Sequence, residues 1–234
     1  MLNKEDKERY LRQIALGEIR EQGQQRLSRS SALIIGVGGL GSPIATLLAS
    51  SGMGRIGIVD SDTVSLSNLP RQTLYTTEDI GKPKVECAKK RLQMMNPTVE
   101  IETYNLRFEE DCAQEIASKY DMIIDGCDNM PTRYTIDSIA KELKKPYIYG
   151  AINGFRGQVS VFHHQGSGAY GDLFPKENAL PPSPPPAVMS TTPALIGAIQ
   201  ANEAIKIAIG YGEVLGSKLL VFDSRDYSFQ ILNL

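Results

Sequence analysis

The chain has 234 residues, 41% of them apolar, and a formal net charge of -2 at pH 7. That is enough apolar material for one domain with a sizeable core, and the charge argues against a general nucleic-acid or anionic-membrane binder. No apolar run reaches membrane-spanning length and the N-terminal MLNKEDKERY has no signal-peptide hydrophobic stretch, so a cytoplasmic protein is expected.

Residues 4–29 are charged, with apolar residues at Tyr10, Leu11, Ile14 and Ile19, the pattern of two short amphipathic helices. SALII then runs into glycines and is followed by PIATLLASSG, a predicted helix with Pro43 in its first turn and Gly52 at its end. RIGIVD (55–60) predicts a second strand. A helix over 84–95, a strand over 99–104, a helix over 109–119 and the strand DMIIDG (121–126) follow. Next come a helix over 132–144, the strands PYIYGAI and GQVSVFH, a proline-rich loop, a helix over 193–209 and strands over 218–223 and 227–232. This rhythm implies an α/β, Rossmann-like, doubly wound and mostly parallel sheet with C-terminal antiparallel strands. No linker divides it, so residues 1–234 are expected to form one domain, with N-terminal helices over 1–29 and a crossover loop over 163–192.

Ligands in such folds sit at the carboxyl ends of the strands. At the first such end, Gly36, Gly38 and Gly41 fit G-x-G-x-x-G, with Gly39 extra. Bare backbone can approach a phosphate there, and a helix N-terminus follows with its positive dipole end. The competing reading is a turn that only packs helix on strand. Asp60 follows at about the interval at which a carboxylate meets ribose hydroxyls, and a dehydrogenase would look the same so far.

Beyond that strand the pattern changes. Asn68, Arg71 and Gln72 lie in one polar stretch, and Lys84 opens the next helix. Converging cations suit a triphosphate from which pyrophosphate must leave, although each residue alone reads equally as a solvated surface group. IIDGCDN then places Asp128 just past a strand end, where a carboxylate can hold a magnesium ion that bridges phosphates. Asn129 could support it, unless Asp128 or Asn129 simply caps the next helix, and Arg133 would lie one turn into that helix. Cys127 reads as a small strand-end residue rather than a nucleophile, and His163 and His164 as surface residues.

RYLRQI (9–14), GVGGLGS, VDSDTVSLSNLPRQTLY, GKPKVE, CDN and IGAIQANEAIK (196–206) occur in this order. In them the chain resembles the MoeB/ThiF (HesA-like) adenylyltransferases, relatives of the ubiquitin-activating enzymes, over about residues 5–232. The resemblance implies Mg-ATP-dependent adenylation of the C-terminal Gly-Gly carboxylate of a small ubiquitin-like sulfur-carrier protein, ThiS- or MoaD-like, with release of pyrophosphate. It places the glycine loop with Gly39 against the phosphates, Asp60 on the ribose and Ser67 to Arg71 along the nucleotide. Lys84 and Arg71 would stabilise triphosphate charge, and Asp128 would bind magnesium beside Asn129. Arg12 would reach into the partner's site in a homodimer.

The chain also departs from that family. Its first zinc-binding C-x-x-C would fall at Ala169 and Asp172, and no second pair follows, so no zinc site is expected. Cys87, Cys112 and Cys127 form no C-x-x-C pair and no disulfide framework. Ser183 falls at or next to the position of a crossover-loop transfer cysteine, and serine forms neither disulfide nor persulfide. The five prolines between Pro181 and Pro186 would supply by stiffness some of the order a zinc staple gives. Three alternatives stay open: a nicotinamide-dependent oxidoreductase, a nucleotide-binding member without transfer chemistry, and adenylation of a different carboxylate.

Overall fold

The computed structural model describes residues 2–178 and 187–234. The expectations for Ser183 and for the prolines from Pro181 to Pro186 lie outside the described residues.

The N-terminal region forms three helices rather than two: α1 (Lys4–Arg9), α2 (Leu11–Ile14) and α3 (Arg20–Leu27). The break at Tyr10 has a packing cause. Its ring is buried and its hydroxyl accepts a 2.8 Å hydrogen bond from Asn96 Nδ2, while its backbone leaves the helical region at φ -100°, ψ 15°.

Apart from one helical turn at Tyr170–Leu173, which the sequence reading does not predict, the remaining elements follow the predicted order. They are β1 (Ser31–Ile35), α4 (Gly41–Ser51), β2 (Arg55–Val59), α5 (Lys84–Met95), β3 (Glu100–Tyr104), α6 (Glu110–Ser118), β4 (Met122–Asp125) and α7 (Met130–Leu143). Then come β5 (Tyr147–Asn153), β6 (Arg156–Phe162), the single turn α8 (Tyr170–Leu173), α9 (Thr191–Ile209), β7 (Lys218–Asp223) and β8 (Ser228–Asn233). α7 starts two residues before the predicted position because the Asn129 side chain accepts the Thr132 N–H and caps it.

One eight-stranded sheet has the order β3-β2-β1-β4-β5-β6-β7-β8. The strands from β3 through β5 pair in parallel, and β6, β7 and β8 are antiparallel. SALII is apolar throughout and β1 is buried along its length, as a central strand covered on both faces must be. Leu33 and Ile35 point into one core layer with Ile116, Ile136 and Tyr147. Ala32 and Ile34 point into the other, with Ile44, Leu48, Val85 and Ile196. The strand order reverses between β1 and β4, which opens a crevice at their carboxyl ends. Among the described residues no helix is long and apolar enough to cross a membrane.

Candidate active site

The crevice is lined by the loop that leaves β1 and the turn that leaves β4. Gly36 sits at φ +87°, and a Cβ there would lie 2.8 Å from the Gly126 carbonyl oxygen. A Cβ on Gly126 would collide in turn with the Gly36 carbonyl oxygen. Neither position accepts a side chain, so the glycine loop and the β4 turn touch through backbone alone. From there Gly38, Gly39 and Gly41 lead into the N-terminus of α4, whose dipole favours an anion.

Gln72 is buried beside this loop, and its Nε2 would be 3.4 Å from a Cβ on Gly38. Its Oε1 is buried with no hydrogen-bond partner among the described residues. A buried acceptor without a donor is costly, and a nucleotide N–H or hydroxyl in the crevice would satisfy it.

Asp60 lies directly past β2. Its carboxylate accepts the N–H groups of Val37 and Asp62, both at 2.9 Å, which ties it to the glycine loop. Burial raises its pKa above the usual carboxylate value, against the opposing pull of Lys84 and these two N–H donors. Lys84 donates to Asp62 Oδ2 at 2.8 Å, with side-chain exposures of 6% for the lysine and 67% for the aspartate. The sequence reading singled out Asp60 and Lys84 but passed over Asp62. The two-residue spacing of the acids in VDSD is the available signal, since residues two apart in an extended segment share a face, which puts Asp62 within reach of the lysine that also acts on Asp60.

Arg71 Nη1 donates to the Ser67 carbonyl at 2.8 Å, and its Cδ would lie 4.0 Å from a Cβ on Gly39. No carboxylate pairs with it among the described residues, so its charge is held by the loop and left uncompensated. Asn68 Oδ1 caps the short turn after β2 by accepting the Ser65 N–H at 3.1 Å, which commits that atom to the loop.

At the β4 turn, Asp125 is fully buried. Its Oδ2 accepts from Arg133 Nε at 2.9 Å and from the Tyr147 hydroxyl at 3.3 Å, and its Oδ1 accepts from Cys127 N at 2.9 Å. Asp128 is exposed and makes no hydrogen bond among the described residues. Asn129, expected to assist Asp128, instead has its Oδ1 on the Thr132 N–H at 3.0 Å. The capping alternative is therefore the observed one for Asn129, since a helix N-terminus needs an acceptor there. Burial and the neighbouring Asp125 carboxylate push the Cys127 thiol well above its ordinary pKa, which agrees with a structural cysteine.

Arg12 is exposed and does not join these residues. Next to it, Gln13 Nε2 donates to the Ser51 carbonyl at 3.1 Å, at the end of α4 opposite the glycine loop. The 11 residues of α4 span about 16 Å at 1.5 Å per residue. The site residues thus divide into a converged set around the crevice and Arg12, a helix length away.

Segment 169–172 is held by carboxylates. Asp172 Oδ2 accepts the Ala169 N–H at 2.9 Å. Asp137 accepts the N–H groups of Tyr170 and Gly171 at 2.8 and 3.1 Å, and its Oδ1 lies 2.7 Å from His163 Nε2. His163 is thus largely buried, which corrects its reading as a surface residue: β6 ends with its ring turned inward onto Asp137. Burial works to raise the Asp137 pKa, but the His163 and backbone hydrogen bonds outweigh it and hold the carboxyl below its usual value.

A glycine loop at the switch point of a doubly wound sheet, with acidic and basic side chains gathered at the same strand ends, defines an α/β protein of the nucleotide-binding class. A family model described as the ThiF family matches residues 10–234, and the chain belongs to that family. It is 43% identical to a sulfur carrier protein adenylyltransferase of Thermus thermophilus, over 98% of this chain and 88% of that one. It is 44% identical to a probable molybdopterin-synthase adenylyltransferase of Porphyra purpurea, over 97% of this chain but only 60% of that one. The crystal structure of PaaA superposes with a TM-score of 0.85 at 27% identity, covering 99% of this chain and 74% of that one.

Proposed function

We propose that this chain uses Mg-ATP to adenylate the C-terminal glycine carboxylate of a small ubiquitin-like sulfur-carrier protein, releasing pyrophosphate. The carrier would serve sulfur transfer in thiamine- or molybdopterin-type cofactor synthesis. The observation that carries this reading is the convergence of Lys84, Arg71 and the glycine loop on one crevice, within a chain whose relatives are named adenylyltransferases. Hydride transfer releases no pyrophosphate whose charge must be neutralised, so family and geometry both favour nucleotidyl transfer over the oxidoreductase alternative.

The chemistry is an in-line attack of a carboxylate on the α-phosphorus, and the protein has to orient two anions and neutralise their charge. The glycine loop supplies backbone for the phosphates. Asp60, already fastened to Val37 and Asp62, receives the ribose hydroxyls, and Gln72 offers its unpartnered oxygen. Arg71 stabilises the triphosphate, as does Lys84 once it leaves Asp62.

Magnesium fits one position. Asp128 is exposed and makes no hydrogen bond among the described residues, and magnesium is commonly held by one or two carboxylates plus the phosphates of the substrate. That suits a chain with no cluster of three acidic, histidine or cysteine side chains among its described residues. When bound, the ion would offset charge on the phosphates. Arg12, remote from its own crevice, serves the crevice of a second copy, which makes the working unit a homodimer. Ser183 leaves the chain without the crossover thiol, so this protein activates the carrier and another supplies sulfur. The setting is the cytoplasm.

The test is ATP–pyrophosphate exchange dependent on a carrier that ends in Gly-Gly. Asp128→Ala should abolish exchange without shifting the melting temperature, because the side chain is exposed and unbonded. Absence of exchange with every such carrier from the same organism would overturn the reading.

A further inference from the structure

Arg133 is largely buried, yet its side chain makes more polar contacts than that of any residue assigned above to the nucleotide. Its Nε donates to the Asp125 carboxylate at 2.9 Å, and one Nη donates to the Cys127 carbonyl at 3.1 Å and the Gly150 carbonyl at 3.4 Å. The guanidinium lies over the Tyr149 ring, 5.5 Å from its centroid. Asp125 holds the Cys127 N–H at 2.9 Å from the other side, and Gln200 Nε2 fixes the Asp125 carbonyl at 2.7 Å. Both backbone polar groups of Cys127, the residue before Asp128, are therefore held by one buried ion pair. On the far side of Asp128 the chain is fixed again, by the Asn129 cap.

We infer that Arg133 is a positioning residue for Asp128: through Asp125 and the Cys127 backbone it aims an otherwise untethered carboxylate at the metal and phosphates. This rests on the magnesium role given to Asp128 above. A lysine at 133 would keep the charge and pair with Asp125, but it lacks the planar fork that reaches the carboxylate and the carbonyl together. Asp128 would then sample positions away from the ion. Groups that orient a metal ligand typically change metal affinity by about 10- to 100-fold when lost.

The test is calorimetric titration of full-length protein with ATP at a series of magnesium concentrations, with no carrier present, alongside thermal melts. Arg133→Lys should raise the magnesium concentration for half-maximal enhancement of ATP binding by about tenfold or more, with metal-free ATP binding changed less than about twofold. Tyr147→Phe removes only the long hydrogen bond to Asp125 and should leave the magnesium midpoint at the wild-type value. A lower melting temperature in Arg133→Lys with an unchanged magnesium midpoint would mean that Arg133 only stabilises the fold, and would overturn the inference. So would wild-type ATP binding indifferent to magnesium. The expected shift in a protein that shows no pyrophosphate exchange with any of the carriers would support the inference and sink only the adenylation reading.

Discussion

Gly126 lies against the Gly36 carbonyl so closely that a methyl group on it would collide with that oxygen. The glycine loop and the turn that carries Asp128 are in this way built back to back. Their separation is set by two backbones, whose positions side-chain repacking cannot adjust.

Gly126→Ala should therefore push the two loops apart. Forcing one methyl group into close-packed backbone costs about 1–3 kcal/mol. At about 2–4 °C per kcal/mol for a chain of this size, the melting temperature should fall by several degrees, and ATP affinity should weaken with it. Differential scanning calorimetry with and without ATP reads both effects. An alanine variant with wild-type melting and wild-type ATP binding would show that the loops are not held this way.

The Lys84–Asp62 pair is asymmetric, and its two deletions should differ. Lys84→Met leaves an exposed carboxylate that water solvates, so stability should stay within about 1 kcal/mol of wild type while adenylation falls by about 100-fold or more. Asp62→Ala strands a buried ammonium, and should cost about 2 kcal/mol or more of stability. Urea unfolding of both variants, with exchange assays, checks this order; small and equal stability losses would show that the pair is merely a surface contact.

Asp60 gives the nucleotide site a pH signature. In the proposed role its ionised form would accept the ribose hydroxyls, and burial favours the protonated form. Acidification should therefore weaken ATP binding at a pH above the value of roughly 4 expected for an ordinary aspartate. In Asp60→Asn, binding should be weak and flat across the same range. Titrations between about pH 4 and 7 that superimpose for the two proteins would remove Asp60 from the ribose.

Arg12 and Asp128 can be separated by mixing. Arg12→Ala and Asp128→Ala should each be inactive and each melt like wild type. Subunits exchanged in equal amounts should recover roughly a quarter of wild-type exchange, because half the dimers are hybrids and each hybrid has one intact site. No recovery after verified subunit exchange would place Arg12 in its own chain's site or outside catalysis.

Much of the architecture was legible along the chain, for local reasons. The continuous apolar run of SALII admits only a strand covered on both faces, glycine and proline mark the turns and helix ends, and α5 spans the predicted 84–95. The glycine loop, Asp60, Arg71, Lys84 and Asp128 stood out as chemistry placed at strand ends. The break at Tyr10 was not legible, because it follows from a contact with Asn96, 86 positions away.

The sequence by itself thus determined which elements form, in what order, and where along them the chemically able side chains fall, because hydrophobic period, capping and turn residues act over a few positions. Only the tertiary structure decided how those side chains are spent. It turns Asn129 from a candidate metal partner into a helix cap, gives Lys84 a carboxylate to hold, buries His163 on Asp137, closes Arg133 around Asp125, and keeps Arg12 a helix length from its own crevice. Burial makes an unpaired charge or polar group costly, so Lys84, His163 and Arg133 each found a partner that the folded chain brings near.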